Sequence, residues 1–479
     1  MERIKIRIGI MPTKREIFAS ENAKKEYERI MPIIHSLCPE HVEWVSAEDL
    51  LKDGLGQTQA DIRKVVDRFT EEKVDALFFP FCDFGSEETV VGVAKAFHLP
   101  TLIWGSRDPV STYEHRGKES QCGMFAATKV LQNYGVTFSY IHNCEAESQD
   151  LKEGFLKFVR VAAALKAIRN LNVASIGDRP SGFYSVIHNQ LDLIRYFNIS
   201  VKPVKLLEVK EAAERLLSED PEELRAYVED IKTRIDCTEL QGDDTYVRKV
   251  AAGTLAVESL VKQYECGCAA FDCTGIAAAL GLNGFACSIE GELADRGIPT
   301  ACEMDVLGAI SAKIASALTL GEEPAFISDW TYRHPENDNA ELLWHNGPFA
   351  PSLARKDRPR QYRKRQNAKG EYFESHWELK RGPVTMLRLD EAYNEFYFFT
   401  GEGRTVEGPE TTGTYVWFET DDWKRWEEKL MLGPFIHHCA GVYGHYFAEM
   451  REIARYLKGL QTRPTVHFEY PEKEGYYSL

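Results

Sequence analysis

The first part of the chain alternates between short apolar runs and amphipathic segments. Apolar residues recur at helical spacing from Ala23 to Ile34, and Thr58 stands as a helix cap before a segment that runs to about residue 72. The run at 76–81 is apolar throughout, as in a parallel strand covered on both faces. Further strand patterns lie at 3–11, 42–45, 101–104 and 138–142. The alternation predicts a doubly wound, Rossmann-like α/β domain over residues 1–150.

The same alternation restarts after residue 150. Strand patterns lie at 172–176, 200–207 and 268–272. Helical patterns surround them at 154–169, 184–197, 212–217, 221–234, 244–264 and 306–318. No long linker rich in proline, glycine or serine separates this part from the first. We therefore expect a second doubly wound α/β domain over residues 151–322.

Near residue 326 the pattern changes to aromatic strands separated by turn residues. The strand patterns lie at 325–332, 384–389, 395–400 and 414–418, and a helical pattern follows at 445–460. Aromatic strands punctuated by turn residues in this way indicate a mostly antiparallel sheet. The sequence predicts a β-rich, barrel-like C-terminal domain over residues 323–479.

The net charge of the chain limits which binding partners are expected. The 479 residues contain 58 Lys and Arg against 74 Asp and Glu, a net charge of −16. Such a surface repels nucleic acid and anionic membranes on average, so we expect neither as a partner. The first residues alternate charge with isoleucine, unlike a signal peptide, and no apolar run approaches the ~20 residues that cross a bilayer. The prediction is a cytoplasmic protein.

The eleven cysteines do not form a disulfide framework, because their number is odd and they lie in apolar surroundings. The tightest group along the chain is Cys266, Cys268 and Cys273. It lacks a second ligand pair at the spacing of zinc sites. We interpret these residues as small buried hydrophobes.

The sequence lacks the motifs of nucleotide-binding sites and of serine hydrolases. The loops at 11–14 and 176–182 contain neither the dinucleotide motif GxGxxG nor the P-loop motif GxxxxGK[ST]. The chain also lacks the GxSxG motif of serine hydrolases. The α/β layers are therefore expected to serve as a scaffold or a small-molecule cleft.

A set of acids and histidines in the second half of the chain suits a metal. Glu303 precedes an apolar helix, Asp329 interrupts an apolar strand, and His345, His437 and His438 lie in loops. Two carboxylates with one or two imidazoles suit Mn²⁺, Mg²⁺ or Co²⁺. Such a metal would allow aldose–ketose isomerisation through an ene-diol, and metal-assisted hydrolysis fits equally well. The structural alternatives are a helix-capping acid at Glu303 and an ion pair of Asp329 with Arg333.

Residues 265–445 resemble the L-fucose/L-arabinose isomerase superfamily. The likeness rests on residues 271–309, which include Cys-Glu-Met-Asp at 302–305, on Asp-Trp-Thr-Tyr-Arg-His at 329–334, on residues 373–389 and on the histidine pair at 437–438. The resemblance implies two α/β domains and a β-rich C-terminal domain. It also implies an aldose–ketose isomerase that assembles as a homotrimer or homohexamer with active sites at subunit interfaces.

The resemblance assigns roles at the centre. It makes Glu303 a metal ligand and proton-transfer base, Asp329 the second ligand and partner acid/base, and His438 the imidazole ligand of a Mn²⁺, Co²⁺ or Mg²⁺ ion. His437 is the alternative, one residue away. His345 resembles an additional ligand of the arabinose branch.

Within that superfamily the arrangement at residue 329 favours the fucose branch, because Ser328 stands where the arabinose branch has a glutamate.

The resemblance also implies that an N-terminal domain completes a neighbouring subunit's sugar cleft. Turn chemistry, helix capping and core packing are the structural alternatives for the residues concerned. The possible substrate-binding residues are Asp83, Ser86, Arg107, Trp330, Trp344 and Arg355.

A basic run at 355–365 departs from the acidic character of the chain. Such a run is typical of a solvated loop or a subunit contact. The functional alternative is that Arg355 or Arg358 contacts an anionic group on a phosphorylated, sulfonated or acidic sugar. The sequence thus predicts a metal-dependent aldose–ketose isomerase of a fucose- or arabinose-like monosaccharide or an anionic derivative. A metal-dependent sugar hydrolase or epimerase and a non-catalytic sugar-binding protein are the alternatives.

Overall fold

The computed structural model describes residues 3–18, 20–108, 118–459 and 466–473. Their contacts define two compact units. The N-terminal unit contains Arg3–Lys166 and the segment that begins at Ala448. The C-terminal unit contains Ala167–Phe447 and the described residues after 465. The domain boundaries at 150 and 322 stay predictions.

A five-stranded parallel sheet forms the centre of the N-terminal unit. Its spatial order is β2-β1-β3-β4-β5, so the order reverses between β1 and β3, as in doubly wound folds. The predicted cap at Thr58 is confirmed, since its N–H donates to Asp61 Oδ2 at 3.0 Å. The strands are β1 (Ile6–Ile10), β2 (Val42–Ser46), β3 (Ala76–Phe81), β4 (Thr101–Gly105) and β5 (Ser139–Tyr140). The helices are α1 (Ser20–His35), α2 (Gln59–Glu71), α3 (Glu87–Phe97), α4 (Ser120–Asn133) and α5 (Gln149–Ile168).

The C-terminal unit begins with a second parallel sheet, in the order β7-β6-β8-β9. Its strands are β6 (Asn172–Ile176), β7 (Ser200–Val204), β8 (Cys268–Phe271) and β9 (Thr300–Ala301). Its helices are α6 (Gln190–Phe197), α7 (Leu206–Glu219), α8 (Glu222–Arg234), α9 (Thr245–Gln263), α10 (Cys273–Ala279), α11 (Cys287–Asp295) and α12 (Val306–Leu318). Strand β7 ends earlier than predicted, because Val209 and Ala213 already form the buried face of α7.

Six antiparallel strands of the C-terminal unit close into a ring, in the order β16-β11-β10-β17-β14-β15 and back to β16. The strands of this part are β10 (Phe326–Arg333), β11 (Ala340–His345), β12 (Gln361–Asn367), β13 (Gly370–Glu378), β14 (Pro383–Ala392), β15 (Glu395–Val406), β16 (Thr414–Glu419), β17 (His438–Tyr443) and β18 (Val466–Glu469). Helix α13 (Trp423–Leu432) packs Trp423 and Trp426 against Trp330. The predicted fold class, parallel-sheet α/β domains followed by a β-rich barrel-like domain, is confirmed.

The last helix, α14 (Phe447–Gly459), belongs almost entirely to the N-terminal unit. The Tyr456 hydroxyl donates to the Thr101 carbonyl at 3.2 Å and accepts from the Thr101 N–H at the same distance. Lys157 of α5 pairs with Glu452 at 2.7 Å. Within the described ranges, no helix is both long and apolar enough to cross a bilayer.

Candidate active site

Four chain segments bring the predicted acids and histidines together. Strand β10 lies between β11 and β17, and the antiparallel register sets Asp329 opposite His438. Residues directly opposite each other on antiparallel strands point to the same face of the sheet. Glu303 comes from the turn between β9 and α12. The structure therefore places a carboxylate from a turn beside a carboxylate and an imidazole from the barrel.

The turn that carries Glu303 is strained. Glu303 and Met304 have φ values of 58° and 62°, in the left-handed region that costs a side-chain-bearing residue about 1 kcal/mol or more. Two hydrogen bonds hold the turn: Met304 N–H donates to the Phe271 carbonyl, and Asp305 Oδ1 caps α12 by accepting from Gly308 N–H, both at 2.9 Å. Backbone strain of this kind is a feature of functional sites.

His438 is fixed between three carboxylates. Its Nδ1 lies 2.9 Å from Asp305 Oδ2, and its Nε2 lies 3.1 Å from Glu303 Oε2 and 3.5 Å from Asp329 Oδ1. The side chain is fully buried. A carboxylate on one ring nitrogen orients the other nitrogen toward a metal in many metalloproteins. Asp305 therefore aims His438 Nε2 at the space between Glu303 and Asp329.

Asp305 is itself held by a buried ion pair. Both its oxygens contact the Arg388 guanidinium, one of them at 3.0 Å, and each side chain is 1% exposed. Burial alone would raise the pKa of Asp305, but the Arg388 charge and the His438 hydrogen bond hold this pKa well below its usual range. The carboxylate therefore stays ionised and accepts a hydrogen bond from the Nδ1–H group of His438.

Protonation of His438 is coupled to Glu303. Burial acts to lower the pKa of His438, and its hydrogen bonds to Asp305 and Glu303 outweigh burial and raise that pKa to about 9. Burial acts to raise the pKa of Glu303, but the same hydrogen bond and the nearby imidazoles lower it overall. Without a cation, a proton on His438 Nε2 supplies the positive charge that the two carboxylates require.

The residues of this centre fit a divalent cation. Asp329 Oδ1 and His345 Nε2 are buried, 4.0 Å apart, and without a hydrogen-bond partner in the described parts of the chain. Leaving a buried polar atom unsatisfied costs about 1–3 kcal/mol. The donor atoms of Asp329, His345 and His438 lie within 4.8 Å of one another, as do those of Glu303, His437 and His438. Oxygen and imidazole donors of this kind suit Mn²⁺, Mg²⁺ or Co²⁺.

The three histidines occupy different environments. His438 is buried at the middle of the group, whereas His437 is exposed and its ring meets that of His438 edge-on at 4.5 Å. His345 Nδ1 accepts from Asn346 N–H at 2.9 Å. In the neutral ring that bond leaves the proton on Nε2, so His345 presents a donor toward Asp329.

Two predicted tryptophans lie close to this group along the strands, in different settings. Trp344 stacks almost parallel to His345, at an interplanar angle of 9°. Trp330 follows Asp329 on β10, and its ring packs among Phe418 and the two tryptophans of α13. Of these two rings, only that of Trp344 lies against a residue of the candidate centre.

Phe183 was not predicted from the sequence. Its ring lies 5.7 Å from that of His437 and 5.8 Å from that of His438. It follows β6 in the loop at 177–183. Loops at the carboxyl ends of parallel strands form ligand sites in α/β folds, so the position of Phe183 after β6 could have identified it as a candidate.

Arg355 is engaged by carboxylates. Its guanidinium contacts Asp357 at 2.7 Å, Glu378 at 3.1 Å and Glu407 at 2.9 Å. Arg358, by contrast, is exposed. Both arginines line a cleft of about 470 Å³. Half of the remaining residues of that cleft are basic, namely Lys232, Arg234, Lys356 and Arg360, and the others are Thr233, Ile235, Asp236 and Ala354.

The other candidate substrate residues belong to the N-terminal unit. Asp83 Oδ1 accepts from the N–H groups of Arg15 and Gly85, both at 2.8 Å, while its buried Oδ2 has no partner among the described residues. Ser86 caps α3 by accepting from Thr89 N–H at 3.3 Å. Arg107 is exposed. Asp83 and Ser86 follow β3, at the edge where the strand order of this sheet reverses.

Comparison with known families agrees with this arrangement. Residues 9–169 match the family model described as the fucose/sulfoquinovose isomerase N-terminal domain, and residues 360–460 match that of the L-fucose isomerase C-terminal domain. The chain belongs to the fucose isomerase-like superfamily. The resemblance noted in the sequence is thereby confirmed.

Individual members of the superfamily are distant in sequence, and two sulfoquinovose isomerases cover most of the chain. The sulfoquinovose isomerase of Alkalicoccus urumqiensis is 26% identical over 392 residues, which is 80% of this chain and 84% of that protein. That of Priestia aryabhattai is 24% identical over 84% of this chain and 88% of its own. The L-fucose isomerase of Haemophilus influenzae PittEE is 24% identical over 46% of this chain and 38% of its own. The chain is a sugar isomerase of the class that interconverts aldoses and ketoses.

Proposed function

We propose that the protein is a metal-dependent isomerase that interconverts a sulfonated aldose of the sulfoquinovose type with its ketose through an ene-diol. The observation that carries the metal dependence is the orientation of His438, with Nδ1 on Asp305 and Nε2 aimed at Glu303 and Asp329. The substrate class is supported by the sulfoquinovose isomerases of Alkalicoccus urumqiensis and Priestia aryabhattai, which align over 80% and 84% of the chain, against 46% for the L-fucose isomerase.

Glu303, Asp329 and His438 would hold the cation, with Mn²⁺ as the first candidate and Co²⁺ or Mg²⁺ as others. Bound there, a divalent cation would polarise the sugar carbonyl and so acidify the adjacent C–H bond. The protein keeps His438 neutral at Nε2 in that state, because Asp305 takes the Nδ1–H hydrogen bond.

The two carboxylates carry the protons. The Glu303 side chain is 35% exposed and can reach a sugar in the cleft, where it removes the proton from C2. Asp329, ionised as a cation ligand, takes the proton of the C2 hydroxyl and passes it to the oxygen on C1, which gives the ene-diol in its singly ionised form. Glu303 then returns its proton to C1, so both carboxylates end as they began. C1 is reduced as C2 is oxidised, so no external redox partner is required.

His345 would position the sugar rather than the cation. Its Nε2–H is buried, has no acceptor within the described residues and points toward Asp329. A sugar hydroxyl beside Asp329 would satisfy this donor.

We further propose a homotrimer or homohexamer in which Asp83, Ser86 and Arg107 contribute to the cleft of a neighbouring subunit. The unpaired Asp83 Oδ2 supports this proposal, since a sugar hydroxyl would satisfy it. Light scattering of the purified protein tests the assembly. A monomer that turns over sugar at the full rate would contradict it.

The decisive experiment is isomerisation of sulfoquinovose and of L-fucose by the chelated protein, before and after addition of Mn²⁺. Ketose formation and exchange of the C2 hydrogen with deuterium oxide are read by NMR. We expect turnover only with metal, exchange at C2, and a higher kcat/KM for sulfoquinovose. Turnover without metal would contradict the metal dependence. Exchange at C2 would support the ene-diol, because only a hydrogen that leaves as a proton can exchange with solvent.

Glu303→Gln tests the assignment of the base. We expect kcat to fall about 10²–10⁴-fold, because general base catalysis of this step is lost. Glu341→Gln is the matched control, since Glu341 is a buried acid of β11 whose contact is Arg333. Full activity in Glu303→Gln would contradict the proposed role.

A further inference from the structure

Three cysteine side chains form a buried cluster beside the isomerase centre. Cys273 lies at the start of α10, Cys287 at the start of α11, and Cys302 directly after β9. Their sulfur atoms all lie within 4.8 Å of one another, and no side chain of the three is more than 6% exposed. These cysteines are 14 and 15 residues apart along the chain, so only the fold brings them together.

Glu290 is a buried acid beside this cluster. It lies three residues after Cys287 on α11, which places both side chains on one helix face. The residue is 0% exposed, and neither carboxylate oxygen has a hydrogen-bond partner in the described parts of the chain. The thiols of Cys302 and Cys287 are near enough to interact with this carboxyl group. A fully buried acid without a partner is costly, so the site requires an explanation.

We propose that Cys273, Cys287, Cys302 and Glu290 bind a second, structural cation of the Zn²⁺ class. In tetrahedral zinc sites the Zn–S distance of about 2.3 Å sets sulfur atoms about 3.8 Å apart. Small side-chain rotations would bring the three sulfur atoms from their present separation to that value. A disulfide between any two of these cysteines would leave the third thiol and Glu290 unexplained, whereas one cation satisfies all four.

The donor types separate this site from the isomerase centre. Thiolates select zinc-like ions, whereas the carboxylates and imidazoles around Glu303 suit Mn²⁺ or Mg²⁺. On binding, the sulfur–metal bonds replace three S–H bonds and the protons pass to solvent. Three thiolates and one carboxylate around a dication carry the same net charge as a four-cysteine zinc site.

The site has a structural consequence for catalysis. Cys302 immediately precedes Glu303, whose backbone is in the left-handed region. A cation on the Cys302 sulfur would anchor the strained turn on its N-terminal side, while Asp305 anchors it on the other. The bound ion would thus hold Glu303 in position without contacting the sugar.

Anaerobic titration of the chelated, reduced full-length protein with Co²⁺ tests the site. Only thiolate ligands give sulfur-to-cobalt charge-transfer absorption in the near ultraviolet, so Co²⁺ at the oxygen and nitrogen centre does not contribute to this signal. We expect charge-transfer absorption that saturates at one equivalent per chain, and displacement of that cobalt by one equivalent of Zn²⁺. This readout is independent of sugar turnover, so its failure is distinct from a failure of the proposed isomerase function.

Cys287→Ser should abolish the charge-transfer absorption, and Glu290→Gln should weaken Co²⁺ binding at least tenfold. Cys268→Ser is the matched control, because Cys268 is equally buried on β8 but outside the cluster; it should titrate like the unaltered protein. No charge-transfer absorption in the unaltered protein would overturn the site, whatever the folding of the variants. The same conclusion follows if the absorption survives in Cys287→Ser, or if the freshly purified chain weighs two hydrogens less before reduction, which would reveal a disulfide.

Discussion

His438 Nδ1 and Asp305 Oδ2 lie 2.9 Å apart, and both residues are buried. The Arg388 guanidinium contacts the same carboxylate from the other side. This chain of contacts keeps Asp305 ionised and holds the proton of a neutral His438 at Nδ1. In the neutral ring, which a bound cation would require, Nε2 directs a lone pair at Glu303 and Asp329.

Asp305→Asn is therefore expected to weaken Mn²⁺ binding about 10–100-fold, the usual cost of losing such a partner of a ligand histidine. Asparagine can present its N–H to Nδ1, which would shift the ring proton to Nε2. Chelator competition measures the affinity. Asp390→Asn is the control, because Asp390 contacts Arg388 at 3.1 Å without contacting His438. Equal weakening in both variants would show that only the ion pair matters.

The pH dependence of the metal-free protein follows from the pKa of His438, which its carboxylate partners raise to about 9. An unfolded histidine titrates near pH 6.5. A raised folded pKa gives stability that is fully present below about pH 6.5 and is lost as the pH rises through 9. We expect the unfolding free energy of chelated protein to fall by about 3 kcal/mol between those limits, as measured by urea unfolding.

The control for that measurement is the neighbouring histidine. His438→Gln should remove the pH-dependent loss, whereas His437→Gln should keep it, because His437 is exposed and makes no hydrogen bond to Asp305 among those described. An unchanged slope in His438→Gln would assign the titration to another group.

Arg355→Ala is expected to lower the unfolding free energy by about 1–3 kcal/mol, because Glu378 is 7% exposed and loses one of its partners. Arg358→Ala should change it by less than about 0.5 kcal/mol, since Arg358 is exposed. Thermal and urea unfolding measure both. The functional alternative has its own signature: a KM that rises for sulfoquinovose and not for L-fucose would place Arg355 on the sulfonate.

Trp330→Ala should cost about 3–5 kcal/mol, because the ring packs among Phe418, Trp423 and Trp426. We expect little change in KM for the molecules that remain folded. Trp344→Ala, at a half-buried ring that stacks on His345, should instead raise KM more than it lowers stability. Steady-state kinetics and calorimetry on the two variants separate the roles. A raised KM with normal stability in Trp330→Ala would favour sugar stacking.

Strong local patterns predicted the fold well. The helix predicted at 306–318 matches α12 at both ends, because an aspartate cap precedes an uninterrupted apolar segment. Strand β3 was found for a similar reason, as all its residues are buried. The hairpin of β12 and β13 was missed. Only Tyr362 is buried in β12, so register with β13, rather than an apolar pattern, defines this strand.

The candidate site could be predicted only in part. Resemblance singled out Glu303, Asp329 and His438, which come from distant parts of the chain and converge through the pairing of β10 with β17. The alternative that Asp329 forms an ion pair with Arg333 was wrong, since Arg333 contacts Glu341 and Glu427 instead. Besides capping α12, Asp305 orients His438. This second role depends on Arg388, 83 residues away, and no local sequence pattern contains that contact.

Helix α14 sets the order in which the protein can be completed during synthesis. The five-stranded sheet emerges from the ribosome before the second sheet and the barrel, yet the Tyr456 hydroxyl that bonds to Thr101 follows it by 355 residues. Until α14 emerges, the part of the N-terminal unit that this helix covers has no counterpart on the nascent chain. The N-terminal unit can therefore finish folding only after the barrel strands up to β17 have been translated, and a chain truncated before α14 would release it unfinished.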